Sequence, residues 1–123
     1  MKDLEKMFKA LADKNRIRII KLLQRRPMCV CELAYILGVT QPAVSRHLKK
    51  LGAAGLVASA QDGFWTNYHL RKADGYAGRL LKDLQGRLDD DTDIVRDAGK
   101  IKHVNRTELC RCKRKERRYG RKK

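Results

Sequence analysis

Apolar residues recur at helical spacing along most of this chain. Leu4, Met7, Phe8 and Leu11 sit at i, i+3, i+4 and i+7, which predicts an amphipathic first helix. Asp13 is placed to cap a second, in which Ile17, Ile20 and Leu23, with Ile19 and Leu22 beside them, form a broad apolar face ending at Arg25-Arg26-Pro27. The Lys and Arg residues scattered along these two scaffold helices are expected on a solvated face. Val30, Leu33 and Leu37, with Ile36 alongside, define a short third helix that Gly38 stops. Thr40 can cap the next, Pro42 suits its first turn, and Val44, Leu48 and Leu51 repeat at i, i+4 and i+7.

The pattern then changes. Leu56 to Ala60 and Phe64 to Leu70 flank Gln61-Asp62-Gly63, and Asp-Gly between two such runs predicts a β-hairpin. Trp65 and Tyr68 are expected to pack on the domain, because a small hairpin needs an apolar face. Tyr76, Leu80, Leu84 and Leu88 restore the helical stripe, which should end at Asp89-Asp90-Asp91, a triplet that suits the dipole of a following helix. Thr92 can cap that helix, in which Ile94, Ala98, Ile101 and Val104 carry the pattern to about Leu109. Stripes this apolar at both ends of the chain need partners, so a homodimer through the N- and C-terminal helices is expected. The fold class is therefore mainly α with a β-hairpin wing.

The third and fourth helices are separated by little more than Gly38 and Val39, and the second of the pair is polar and basic outside. That is the helix-turn-helix arrangement, whose second helix enters the major groove. Thr40, Gln41, Ser45, Arg46, His47, Lys49 and Lys50 are the candidate DNA contacts. Arg46 is the expected guanine reader, and Lys49 and Lys50 are expected on phosphate or in solvent.

Charge supports a polyanionic partner. Thirty Lys and Arg against fourteen Asp and Glu give +16 over 123 residues. Half of it is local, since residues 111–123 hold nine basic residues and one acid, Glu116. The division expected is a DNA-binding and dimerisation domain over 1–109 and a basic, disordered tail over 110–123. No apolar run approaches a membrane span and the N-terminus lacks the core of a secretory signal, so a cytoplasmic protein with no membrane partner is expected.

Four cysteines fall into two Cys-x-Cys pairs, Cys29 with Cys31 and Cys110 with Cys112. In a reducing compartment they read as metal ligands or redox thiols, with small core residues as the alternative for the first pair. Thiols without His or carboxylate partners suit soft centres such as As(III), Sb(III), Cd and Zn. Three thiolates fit pyramidal As(III) or Sb(III) and four fit tetrahedral Zn or Cd, so Cys110 or Cys112 is a candidate to complete a site begun by Cys29 and Cys31. The basic neighbours Arg111, Lys113 and Arg114 would lower the thiol pKa values of the second pair. Residues two apart on an ideal helix point to different sides, so one ion held by Cys29 and Cys31 should distort that first turn.

Residues 1 to about 105 resemble the ArsR/SmtB family of winged-helix metalloregulators, of the arsenical-resistance repressor type. The likeness rests on Ala10-Leu11-Ala12-Asp13 through Arg16-Ile17-Arg18-Ile19, on Gln41-Pro42-Ala43-Val44-Ser45-Arg46-His47-Leu48, on Gly55-Leu56-Val57 and on Tyr68-His69-Leu70. It implies a homodimeric repressor that leaves its operator when a metal or metalloid binds. Cys29-Val30-Cys31-Glu32-Leu33 is similar to the family's arsenite-sensing box, with Ala34 where that box often has a third Cys. The family's zinc-sensing Asp and His pairs are not matched, His103 being the one His in the last helix, and Phe64 stands where many relatives carry a basic residue near the wing tip.

The resulting expectation is a metalloid-responsive repressor that binds operator DNA as a dimer, with As(III) or Sb(III) as inducer and no metal needed for folding. A redox- or sulfide-responsive repressor, or a Cd- or Zn-responsive one, is the alternative on the same fold. A constitutive architectural DNA-binding protein driven by the tail is a third reading. An enzyme is not expected, for the chain has no phosphate loop, no carboxylate pair in an apolar setting and no Cys-His arrangement.

Overall fold

The structure, a computed structural model, describes residues 1–72, 75–105 and 108–109. Among these residues the chain forms α1 (Lys2–Leu11), α2 (Lys14–Leu23), β1 (Met28–Cys29), α3 (Val30–Leu37), α4 (Gln41–Ala53), β2 (Val57–Asp62), β3 (Trp65–Leu70), α5 (Gly75–Leu84), α6 (Thr92–Lys100) and a 3-10 turn over Ile101–His103. None of these helices is long and apolar enough to cross a membrane.

Local chemistry sets the helix boundaries. The Asp13 carboxylate accepts from the N–H groups of Asn15 at 2.9 Å and Arg16 at 3.1 Å, which starts α2. Gly38, at φ +72°, ends α3 in the left-handed conformation that favours glycine. Thr40 caps α4, with Pro42 in the first turn. Ile19, Ile20, Leu33, Ile36, Val44, Leu51 and Leu56 are fully buried and make the core that α2, α3 and α4 share.

The hairpin forms with Asp62 opposite Trp65, so its loop is Gly63 and Phe64, and Gly63 takes φ +60° at the first loop position. One strand was not foreseen. Met28 and Cys29 pair antiparallel with Tyr68 and Asn67, giving a three-stranded sheet in the order β1-β3-β2. Two residues are too short to show alternation, and their strand conformation exists only because β3 offers a free edge.

Three expectations need correction. The helix after the wing stops at Leu84 and not at the aspartate triplet, because Gly86 at φ +82° and Leu88 at φ +63° turn the chain away. The last helix likewise stops at Lys100, well before Leu109, and its cap is Asp91, whose carboxylate accepts from Asp93 and Ile94, not Thr92. The cations of the scaffold are not all solvated either: Arg16, Arg18 and Lys21 of α2 are buried. Each serves helix ends whose carbonyls lack partners. Arg16 donates to Ala10 O at 2.6 Å at the end of α1, and Lys21 donates to Leu84 O at 2.9 Å at the end of α5.

Helix α6 lies against α2 and α3 of its own chain, with Ile94 and Asp97 buried. Exposed aromatics remain on α1 and α5, where Phe8 and Tyr76 meet edge to face with centroids 6.3 Å apart and are each about half exposed.

Candidate thiol site and nucleic-acid interface

Cys29 is the N-cap of α3, in extended backbone at φ −89° and ψ 169°, and Cys31 is the second residue of the helix proper. The rule for residues two apart on a helix therefore does not apply to this pair. Extended backbone at Cys29 lets both residues join one small buried cluster in the ligand-free fold. Both are buried, Cys29 at 3% and Cys31 at 6% exposure, yet they stand apart from the main core. Their cover is two half-buried side chains, Trp65 of β3 and Leu109.

A buried carboxylate holds the junction. Glu32 is 1% exposed, and its Oε1 accepts from the backbone N–H of Cys29 at 3.1 Å while Oε2 accepts from Arg26 Nη2 at 2.7 Å. This is one arm of a capping box, whose spacing of three residues was visible in the sequence as Cys29-Val30-Cys31-Glu32. Opposite Cys29 on β3, Asn67 has a buried Oδ1 with no hydrogen-bond partner among the described residues.

The donor set fits a soft centre in kind, being sulfur, and it supplies two ligands. Among the described residues no three metal-binding side chains converge. Cys110 and Cys112, the candidates for further ligands, lie outside the described residues, as does the remainder of the basic tail. His103 is exposed and lines, with Tyr35, Asn105, Glu108 and Leu109, a cavity of about 330 Å³. Leu109 thus belongs both to the wall of this cavity and to the cover of the thiols.

The second candidate surface is the outer face of α4. Thr40, Ser45, Arg46, Lys49 and Lys50 are exposed, and Gln41 and His47 are half-buried, while Val44, Leu48 and Leu51 point inward. Thr40 commits its hydroxyl to the cap, accepting from the N–H of Ala43 at 3.3 Å. Burial lowers the His47 pKa below its ordinary value and the nearby cations Arg16, Lys50 and Arg46 push the same way, against the opposing charge of Asp13. No acidic residue lies on α4. The wing brings Phe64 to its tip, 76% exposed, and no Lys or Arg between Leu56 and Leu70.

A basic helix packed by its apolar face, a preceding helix joined by a tight turn, and a β-hairpin beside them define a winged helix-turn-helix fold. Residues 13–59 match the family described as "Bacterial regulatory protein, arsR family". The nodulation protein NolR of Rhizobium meliloti is 35% identical over 88 residues, 72% of this chain and 70% of that one. The chain belongs to the arsR family of bacterial regulatory proteins.

Arsenic resistance transcriptional regulator ArsR1 of Pseudomonas putida is 43% identical over 65 residues, 52% of this chain. The chain spans about half the length of that relative, 51%. Among solved structures, the homodimeric winged helix-turn-helix DNA-binding domain of a possible ArsR-family transcriptional regulator from Mycobacterium bovis superposes with a TM-score of 0.63. It is 27% identical, and the match covers 72% of this chain and 81% of that one.

Proposed function

We propose that this protein is a homodimeric transcriptional repressor that leaves its operator when As(III) or Sb(III) binds the thiolates of Cys29 and Cys31, with Cys110 or Cys112 as a further ligand. The observation that carries the reading is the gathering of both thiols in one cluster under Leu109. Displacing the Leu109 side chain would also open the thiols to the cavity it lines.

Homodimerisation is supported by the exposed aromatic pair of Phe8 on α1 and Tyr76 on α5, and by the homodimeric state of the Mycobacterium bovis domain. A two-fold dimer presents its reading helices about 34 Å apart, one turn of DNA. Residues 1–109 carry DNA binding and dimerisation, and the tail adds sequence-independent affinity. The contacts assigned to DNA are Gln41, Ser45, Arg46, His47, Lys49 and Lys50, with Thr40 holding the first turn of α4.

Ligand at the thiols acts on both the reading helix and the wing. Cys31 lies on α3, which leads through Gly38 and Val39 into α4, and Cys29 lies on β1, which is hydrogen-bonded to the wing. A coupling of about 1–3 kcal/mol would weaken operator binding some 5- to 150-fold.

The test counts sulfur around bound arsenite by X-ray absorption, and follows release of a fluorescent duplex taken from upstream of the chain's own gene. Three sulfurs are expected in the full chain and two in Cys110→Ser/Cys112→Ser. Arsenite should release DNA from the wild type and not from Cys29→Ser. Release by peroxide but not by arsenite would transfer the protein to the redox class.

A further inference from the structure

The end of α3 that leads into the DNA-reading helix is held from outside the helix-turn-helix. Lys100, the last residue of α6, donates from Nζ to Ile36 O at 3.1 Å. Arg18 of α2 donates from Nη2 to Leu37 O at 3.5 Å, the long limit of a hydrogen bond. Asp97 of α6 grips the same guanidinium through two bonds of 2.7 Å, to Nε and Nη2. Asp97 and Arg18 are both buried, and Asn15 Oδ1 accepts from Nη1 at 2.9 Å, so the fork has one orientation.

The last carbonyls of a helix have no partner within it, and cations beside them complement its dipole. Here the two carbonyls concerned directly precede Gly38, and Thr40 caps α4 two residues after that glycine. Whatever fixes Ile36 and Leu37 therefore fixes the angle at which α4 leaves the turn.

We propose that Asp97 and Lys100 are positioning residues for DNA recognition, through which α6 clamps the C-terminal end of α3 and sets the presentation of α4. The inference rests on the DNA-binding reading above. It also gives the thiol site a second line to the reader. The chain that follows α6 reaches α3 again at its other end, where Leu109 covers Cys29 and Cys31.

Two disruptive variants and one rescue test the clamp. Lys100→Met keeps the aliphatic stem and removes the donor, and Lys100→Arg returns one. Arg18→Met/Asp97→Leu removes the buried pair as a unit, because deleting one partner leaves an uncompensated charge. Binding is measured on a duplex that the wild type selects from a random pool and on an unrelated duplex, with hydrogen exchange read over 38–43 at every amide but that of Pro42, which has none. Lys100→Met should bind the selected duplex roughly fivefold more weakly, the equivalent of one hydrogen bond, change little on the unrelated duplex, and exchange faster at 38–43. Lys100→Arg should restore both, and the double variant, provided it melts cooperatively, should repeat the Lys100→Met pattern. Equal weakening on both duplexes would reduce Lys100 to a surface charge, and wild-type exchange at 38–43 in both variants would overturn the clamp. If the wild type selects no duplex, the DNA-binding reading fails while the exchange data still decide whether α6 holds the turn.

Discussion

Cys29 stands opposite Asn67 in the antiparallel pairing of β1 with β3, so the first thiol and the wing share one hydrogen-bonded sheet. Trp65, two residues before Asn67, packs against the thiol pair itself. The wing is therefore mechanically part of the candidate sensing site, although its own sequence contains no cysteine.

Trp65 is the single tryptophan of the chain, which makes the site observable. Arsenite added to the protein should change the tryptophan emission and saturate, and Cys29→Ser or Cys31→Ser should abolish the change. Unaltered emission in a titration that nonetheless releases DNA would dissociate the wing from sensing.

Glu32 and Arg26 should both matter to the same junction, for different reasons. Glu32→Ala leaves the Cys29 N–H without its acceptor, while the partly exposed Arg26 can turn to water, at a cost of about 1–3 kcal/mol. Arg26→Ala leaves the buried Glu32 carboxylate without its counter-charge, at a cost of about 3 kcal/mol, and Arg26→Ala/Glu32→Gln should recover most of it. Urea unfolding measures these losses, and an Arg26→Ala loss below about 1 kcal/mol would contradict the role given to the buried carboxylate.

The pH dependence of His47 should have opposite signs for stability and for DNA binding. Its folded pKa lies below the ordinary 6.5, chiefly through burial, so the unfolded chain takes up protons first as pH falls through 6.5 and His47 destabilises the fold there. Phosphate beside His47 would favour the imidazolium, so duplex affinity should rise over the same interval. His47→Gln should flatten both profiles between pH 7 and 5.5, as read by thermal melting and by anisotropy. A wild-type affinity profile that His47→Gln leaves unchanged would remove His47 from the interface.

Arg46 and Lys49 are both exposed on α4 and should nonetheless behave differently. Arg46→Ala is expected to cost about 1–3 kcal/mol on the selected sequence and to relax preference at one base pair. Lys49→Ala should weaken all sequences alike and reduce the salt slope by about 1. Competition and salt titrations on the two variants check this, and matching behaviour would mean that neither reads a base.

Periodicity was enough for the helices that form the reading unit. Leu33 and Leu37, and Val44, Leu48 and Leu51, each point inward as their spacing demands, and Asp13, Gly38 and Thr40 mark boundaries through their own short-range bonds. It failed where a residue's role depends on a distant partner. Leu88 fits the stripe of α5, but Gly86 takes it off the helix, and a stripe cannot register one glycine against six good positions. Arg16, Arg18 and Lys21 look like a solvated face until the ends of α1, α3 and α5 arrive beside them.

The same division runs through function. Short-range chemistry, written into neighbouring residues, was sufficient for the winged helix-turn-helix, for the polar outer face of α4 and for the location of Cys29 and Cys31 ahead of it. Folding in three dimensions decided that Cys29 lies in a strand, that Trp65 and Leu109 roof the thiols, and that α6 reaches the end of α3. Those are contacts between residues 34 to 80 positions apart, and a one-dimensional pattern contains no term for the edge, cavity or carbonyl that a remote segment will supply.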